Sequence, residues 1–245
     1  MKKIMVLVDF SAPSINAIAY AADLANDKDF TEIVMASNCH VPLFEQIVPT
    51  PDYIQVGDAE IKRRTEKMMQ QLLELKTEID KKLHPGISTK IIIGTMPLLR
   101  SVLDQVAREE PSLVVIGSTR HALEDCSTGR QIIPLAKLMP VPVLVIPPEC
   151  RYRNIEEALV AGSGPVESTP DTKEALQDLF GSVQYHRYTL EKKDILQGVL
   201  RAAEEAKVEM IVALPGKHSI FYNLTHQNIM HAIVLNATEP VLILK

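Results

Sequence analysis

Short aliphatic runs alternate with segments in which apolar residues recur every three or four positions. The short runs predict buried β-strands at residues 4–8, 33–36, 90–93, 113–116 and 143–146. The longer segments predict helices, among them residues 58–82, 97–108 and 131–138, and Ser11 followed by Pro13 is typical of the start of a further helix. Strands that alternate with helices predict an α/β protein with a mostly parallel, doubly wound sheet.

The end of this pattern is repeated later in the chain. A shift of 97 residues places Arg120-His121 over Lys217-His218 without a gap, and a shift of 154 residues aligns the first apolar strand with residues 159–161. The second copy is therefore shorter by 57 residues, about one helix and one strand. The repeat predicts a duplicated domain, with boundaries at residues 1–148 and 152–245 and a Pro-rich connection between them.

Composition narrows the classes of partner. The net charge of -5 offers no basic surface for a nucleic acid backbone, and no apolar run is long enough to cross a membrane. Cys39, Cys126 and Cys150 are widely spaced and form no CxxC pair, which predicts reduced thiols in a cytoplasmic protein. The initial apolar run is too short for the core of a signal peptide.

Asp9 follows the first predicted strand directly. Ligands of open α/β sheets bind beyond the carboxyl ends of the strands, where an acid can accept hydrogen bonds from a ribose or a base. Asp9 can equally belong to a solvated turn, and Ser11 caps the following helix in either case.

The loop after the fourth predicted strand has the parts of an anion site. Gly117 allows close approach of the backbone, hydroxyl groups follow it, and the loop ends at Gly129 and Arg130 before a helix. The sequence is neither a Walker loop nor a GxGxxG motif.

These features together resemble the universal stress protein family. The resemblance is carried by the strand that ends in Asp9, by His40-Val41 after the second strand, and by the glycine loop, helix and Pro-Val-Pro-Val-Leu-Val-Ile run at residues 140–146. It covers residues 1–147 and, more weakly, 155–245. It implies two Rossmann-like sheets of the adenine nucleotide alpha hydrolase-like type, the second truncated, and ATP as the ligand.

Many members of that family bind ATP through a sequence motif that consists of Gly, any two residues, a second Gly, any nine residues, a third Gly, and then Ser or Thr. Here Gly117 matches the first glycine and Gly129 the third, while Arg120 and Arg130 replace the second glycine and the hydroxyl, and the loop is one residue shorter. The resemblance implies that Asp9 and Val41 contact the adenosine part of the ligand. The residues expected around the phosphates are Gly117, Thr119, Arg120, Gly129, Arg130 and Gln131.

The second copy lacks these features, since Ser163 stands in place of Asp9 and Gln227-Asn228 in place of Gly-Ser. The histidines have no metal-ligand spacing, so the sequence predicts no metal site. No catalytic triad motif occurs, and for an enzyme such as a slow ATPase the chain offers no Mg²⁺ ligand set beyond Asp9 and no assignable base for water.

Two interpretations of the function stay open. In the first, this is a stress-response protein that binds ATP or a related adenine nucleotide in its N-terminal domain. In the second, it is a structural or interaction protein without a nucleotide, in which the strands at residues 143–146 and 241–244 pair. The resemblance implies dimerisation through this strand, within one chain as a pseudo-dimer or between two chains as a homodimer.

Overall fold

The computed structural model describes residues 1–40, 47–48, 54–55, 58–118, 132–162, 170–189, 195–214 and 227–244. Strands and helices alternate along this part of the chain. The strands are β1 (Lys2–Leu7), β2 (Phe30–Asn38), β3 (Ile47–Val48), β4 (Ile54–Gln55), β5 (Ser88–Gly94), β6 (Leu113–Gly117), β7 (Val143–Ile146), β8 (Glu157–Gly162), β9 (Gln184–Thr189), β10 (Met210–Ala213) and β11 (Val241–Ile243). The helices are α1 (Ala12–Asp27), α2 (Asp58–Asp80), α3 (Leu98–Glu109), α4 (Ile132–Leu138), α5 (Pro170–Phe180), α6 (Ile195–Ala206) and α7 (Gln227–Asn236).

Nine of these strands form one sheet in the order β5-β2-β1-β6-β7-β11-β10-β8-β9, and β3 pairs with β4 separately. All neighbours in the large sheet run parallel except β7 and β11, which are antiparallel with Leu144 opposite Leu242. The predicted α/β class and mostly parallel sheet are confirmed. The two predicted sheets join edge to edge through the expected pair of strands, so the described chain contains one continuous large sheet.

The chain reverses its direction of travel across the sheet twice. From β1 it passes to β2 and β5 on one side and then returns to β6 and β7 on the other. From β8 it passes to β9 and then returns to β10 and β11. In the large sheet the second group has four strands and the first has five. β9 is followed directly by α6, whereas β3, β4, α2 and β5 lie between β2 and α3. Each reversal leaves a crevice at the carboxyl ends of the two strands that flank it.

Helices cover both faces of the sheet, which explains why the central strands are apolar throughout. Ile4 and Val6 in β1 pack with α1 and α2, whereas Met5 and Leu7 belong to the core under α3 and α4. All four side chains are buried. A parallel strand that is covered on both sides produces a continuous hydrophobic run in place of alternation.

The longest described helix, α2, packs against the sheet through a narrow apolar stripe. Leu72, Leu75 and Ile79 are buried on that stripe, while Met69 and Leu73 are exposed on the next face. The rest of its 23 residues are largely charged or polar. No helix in the ranges given above is long and apolar enough to cross a bilayer.

Local sequence signals mark the start of α1 correctly but not the end of β2. The Ser11 hydroxyl accepts a hydrogen bond from the Ser14 amide at 3.4 Å, so the predicted cap of α1 is confirmed. The second strand was predicted at residues 33–36 but extends to Asn38, because Ser37 and Asn38 continue the ladder with β5. Two polar residues therefore lie at the carboxyl end of β2.

Candidate functional site

A cavity of about 550 Å³ lies at the carboxyl ends of β1 and β2, beside the first turns of α3. Leu7, Met68, Leu98 and Val102 give it apolar walls. Cavities of a few hundred cubic ångströms with apolar walls and a few polar groups are the usual form of a small-molecule site. The cavity lies next to the crevice where the chain reverses between β1 and β6.

Asp9 lines this cavity at the point where the chain leaves β1. Its Oδ1 accepts hydrogen bonds from the Ser11 amide, at 3.1 Å, and from the Ser11 hydroxyl. The Asp9 amide in turn donates to the Ser14 hydroxyl at 3.3 Å. These bonds tie the carboxylate to the first turn of α1, so its position is fixed by the same residues that start the helix.

The next residue, Phe10, has a left-handed backbone with φ of 62°. This conformation is unfavourable for a bulky side chain and is concentrated at functional sites in folded proteins. Phe10 lines the same cavity, and its ring packs against the core under α1 and α2. The sharp turn at Phe10 takes the chain from the strand into α1 and leaves Asp9 at the edge of the cavity.

Part of the wall that β2 and α3 form is polar. Asn38 and Gln105 both line the cavity, and Gln105 is only 5% exposed. The Gln105 amide nitrogen donates to the Ser101 hydroxyl at 3.4 Å, while the Ser37 hydroxyl donates to the Val8 carbonyl at 2.7 Å. Neither Asn38 nor Gln105 was among the predicted site residues. The signal that could have indicated Asn38 is its place two residues before His40, near a strand end.

Close packing at Gly94 holds α3 against the sheet beside this wall. A Cβ atom on Gly94 would lie 1.7 Å from the Ser101 hydroxyl oxygen and 2.8 Å from the Gln105 amide nitrogen. Gly94 is also the partner of Asn38 in the ladder between β2 and β5. A larger residue at this position would therefore push α3 outward and change the shape of the cavity.

Gly117 ends β6 on the other side of β1, and its environment is equally tight. A Cβ atom there would lie within 3 Å of the Pro13 carbonyl and the Ser14 amide. The following residue, Ser118, is buried and donates its amide to the Ile146 carbonyl at 2.8 Å. The structure thus places Asp9 and Gly117 at the carboxyl ends of the neighbouring strands β1 and β6, and of these two residues only Asp9 lines the cavity. The other predicted site residues, Val41, Thr119, Arg120, Gly129, Arg130 and Gln131, lie outside the described residues.

A match to a family model decides the classification. The model of the universal stress protein family matches residues 1–147 of this 245-residue chain, which include both sides of the crevice. The chain belongs to the universal stress protein family. Residues 148–245 lie outside the matched range.

Solved structures resemble the whole chain in fold. A universal stress protein from Archaeoglobus fulgidus DSM 4304 aligns with 99% of this chain and 96% of its own, with a TM-score of 0.64 and 14% identity. A functionally unknown protein from Pseudomonas aeruginosa PAO1 aligns with 100% of this chain and 92% of its own, with a TM-score of 0.55 and 11% identity. No curated protein sequence matches this chain.

A second cavity, of about 510 Å³, lies between the connection that follows β7 and the starts of β10 and β11. Its one cysteine, Cys150, has a pKa raised to about 11, first by burial and then by the charge of Glu239. Cys150 and Cys39 are both free thiols. A thiol with so high a pKa is almost entirely protonated at neutral pH and is a weak nucleophile. Within the described residues no group of three or more potential ligands is placed to hold a metal ion.

Proposed function

We propose that this universal stress protein binds an adenine nucleotide, with ATP as the first candidate, in the cavity at the ends of β1 and β2. Occupancy of the cavity is then the state through which the protein acts in the stress response. The observation that carries the proposal is the position of Asp9, a carboxylate held at the edge of a 550 Å³ cavity beside the reversal between β1 and β6.

The local geometry supports a role for Asp9 in holding the nucleoside. A carboxylate accepts hydrogen bonds only, which matches the hydroxyl groups of a ribose and the amino group of a base. Two donors from Ser11 fix one oxygen, so the orientation of the carboxylate is set before a ligand arrives. Prior orientation of this kind reduces the entropy lost on binding.

The neighbouring strand supplies the side where the phosphates would lie. Gly117 ends β6, and the residues that the family resemblance assigns to the phosphates follow it along the chain. In the proposal Thr119, Arg120, Gly129, Arg130 and Gln131 surround the phosphates with Gly117. Arg120 and Arg130 then replace lost backbone contacts by forked hydrogen bonds to phosphate oxygens.

A thermal-shift experiment with a conservative variant tests this assignment. Asp9→Asn keeps an oxygen that can accept from Ser11 but removes the charge. We expect the melting temperature of the natural protein to rise with ATP concentration, as mass action requires, and that of Asp9→Asn to respond far less. Asp104→Asn is the control, because Asp104 pairs with Arg108 on the outer face of α3. An equal response of Asp9→Asn and the natural protein would overturn the assignment.

A second function is favoured by the antiparallel contact of β7 with β11. We propose that the two strand groups are tandem copies whose last strands pair as a pseudo-dimer, the second copy having lost one helix and one strand. The strand order on either side of β7 and β11 supports this view, because each group reverses once about its own first strand. If the surface of this pseudo-dimer carries the whole function of the protein, ATP will leave the melting temperature unchanged at every concentration.

A further inference from the structure

The second cavity, of about 510 Å³, is formed by parts of the chain that are far apart in sequence. Tyr20 of α1 forms one side, the connection after β7 forms another, and the residues just before β10 and β11 form a third. The cavity therefore exists only where the second strand group lies against α1 and the connection. Binding cavities occur preferentially at such boundaries between structural units.

The hydroxyl group of Tyr20 is a buried polar group without a partner. Tyr20 is only 2% exposed, and its ring packs edge to face against Tyr152, with the ring centroids 5.2 Å apart. The hydroxyl makes no hydrogen bond with any residue that the structure describes. Its oxygen is nevertheless open to water, because in that part of the chain only Asn38 Oδ1 is both closed to water and unpartnered. The hydroxyl therefore opens into the cavity that Tyr20 lines.

This hydroxyl is a hydrogen-bond donor at every physiological pH. Burial, and to a smaller extent the neighbouring Cys150, raise the pKa of Tyr20 above its ordinary value, so the proton stays on the oxygen. Buried tyrosine hydroxyls usually have a hydrogen-bond partner. A buried donor that faces a cavity and has no protein partner is suited to a ligand.

Two opposite charges line the same cavity without pairing with each other. Arg153 and Glu239 both contribute to its wall, and within the described residues no ion pair joins them. Both lie near the Cys150 thiol, since Glu239 raises and Arg153 lowers its pKa after the larger effect of burial. The Glu239 carboxylate accepts a hydrogen bond from the Thr238 hydroxyl at 2.8 Å. The cavity thus has a positive and a negative group beside the Tyr20 donor.

The other charged groups of the cavity do not alter this arrangement. The Glu209 carboxylate already accepts hydrogen bonds from the backbone amides of Glu156 and Glu157, at 3.2 and 2.8 Å. Glu149 and Arg151 are exposed and carry opposite charges, which solvent screens. Arg153 and Glu239 remain as the charged pair next to the buried hydroxyl.

We infer that this cavity binds a small zwitterion of the free amino acid type, whose carboxylate pairs with Arg153 and the Tyr20 hydroxyl and whose ammonium group pairs with Glu239. The inference goes beyond the proposed nucleotide site and does not depend on it. A guanidinium makes forked hydrogen bonds to a carboxylate, and a phenol donates a further one. A ligand with only one charge would leave either the guanidinium or the carboxylate without a counterpart.

Tyr20→Phe tests the buried donor, and Tyr152→Phe is its matched control. Tyr20→Phe removes a hydroxyl that has no protein partner in the described chain, so the melting temperature of the ligand-free protein should not fall. Affinity for the amino acid should fall about tenfold. The Tyr152 hydroxyl instead donates to Asp27 and lies outside the cavity wall. Tyr152→Phe should therefore lower the melting temperature and leave the affinity for the amino acid unchanged.

Two charge variants separate the two ends of the ligand. In Glu239→Gln the amino acid should lose its advantage over an analogue that lacks the amino group. In Arg153→Gln it should lose its advantage over an analogue that lacks the carboxylate. Arg108→Gln is the control for these variants, because Arg108 pairs with Asp104 on the outer face of α3.

The experiment is ligand-observed NMR of the full-length protein with each of the twenty protein amino acids at millimolar concentration. Calorimetric titration then compares the tightest binder with its two analogues, one without the amino group and one without the carboxylate. We expect the natural protein to bind at least one amino acid, about tenfold more tightly than either analogue. The variants should change this preference as described.

Three outcomes would overturn the inference. Failure of the folded natural protein to bind any of the twenty amino acids would do so and would leave the nucleotide proposal untouched, because ATP binding is measured separately. Equal affinity for the amino acid and either analogue would show that the cavity does not recognise a zwitterion. Binding that Tyr20→Phe, Arg153→Gln and Glu239→Gln all leave unchanged would place the amino acid elsewhere on the protein.

Discussion

A Cβ atom built on Gly117 would lie 2.2 Å from the carbonyl oxygen of Pro13. The end of β6 therefore touches the backbone of the first turn of α1, with no side chain between them. This contact fixes the helix that Ser11 caps, and Ser11 in turn holds the Asp9 carboxylate. Gly117 thus supports the cavity through packing, in addition to the role beside a phosphate that the family resemblance gives it.

Substitution of Gly117 by Ala should be strongly destabilising. The atoms in the way belong to the backbone, so the helix must shift, and we expect the free energy of unfolding to fall by about 3 kcal/mol. Gly86→Ala is the comparison, because its Cβ would meet no atom within 4 Å and only the left-handed φ of 102° opposes it. There the cost should be about 1 kcal/mol. Urea unfolding of both variants checks this, and an unchanged midpoint for Gly117→Ala would contradict it.

The contact between Leu144 and Leu242 should contribute to the stability of both strand groups. The two side chains lie opposite each other in the antiparallel ladder, and both are fully buried. Each Ala substitution should lower the free energy of unfolding by about 3 kcal/mol. The double variant should deviate from additivity by about 1 kcal/mol, because the residues share one contact.

Leu72 supplies the control for this double-mutant cycle of Leu144 and Leu242. It is also fully buried but lies on α2, which packs beside β5. In the sheet, β5 and β7 lie on opposite sides of β1. Leu72→Ala combined with Leu144→Ala should be additive within about 0.5 kcal/mol. Additive behaviour of the Leu144 and Leu242 pair as well would show that the two strand groups are not coupled through this contact.

The hydroxyl of Tyr152 donates a hydrogen bond to Asp27 Oδ2 and so ties the connection before β8 to the end of α1. The hydrogen bond from Tyr152 makes the largest contribution to lowering the pKa of Asp27 below its ordinary value, and the hydrogen bond from Lys28 makes the second largest. A lowered pKa in the folded state stabilises the protein above the unfolded pKa, and this contribution is lost as the pH falls through the folded value.

Tyr152→Phe should therefore lower the free energy of unfolding at pH 7 by no more than about 1 kcal/mol, since solvent screens the exposed Asp27. As the pH falls below about 4, where the Asp27 carboxyl of the unfolded chain begins to protonate, the difference between the variant and the natural protein should shrink. Urea unfolding at pH 7 and pH 3 measures both differences. A difference that grows at pH 3 would be the opposite of this expectation.

Local sequence signals specify most elements of the fold but not the shape of the site. The apolar runs place the central strands, and Ser11 marks the start of α1 in sequence and structure alike. The polar pair Ser37 and Asn38 resembles the end of a strand in the sequence, yet in the structure it continues β2 into the cavity wall. No local pattern shows that α3 will pass over these two residues and leave space beside them.

The backbone conformation at the site could not be predicted from the sequence either. An aromatic residue gives no signal for a left-handed turn, yet Phe10 adopts one and thereby sets the place of Asp9. Gly117 was predicted for its approach to a phosphate, and its contact with Pro13 depends on how β6 and α1 pack. Such contacts join residues that are far apart in the chain, so only the assembled sheet reveals them.

The most direct test of nucleotide binding is calorimetric titration of the full-length protein with ATP and Mg²⁺, after mass spectrometry has checked for nucleotide retained from expression. We expect saturable heat with close to one nucleotide per chain. Absence of heat, with no nucleotide retained, would contradict it and assign the function to the surfaces of the paired strand groups.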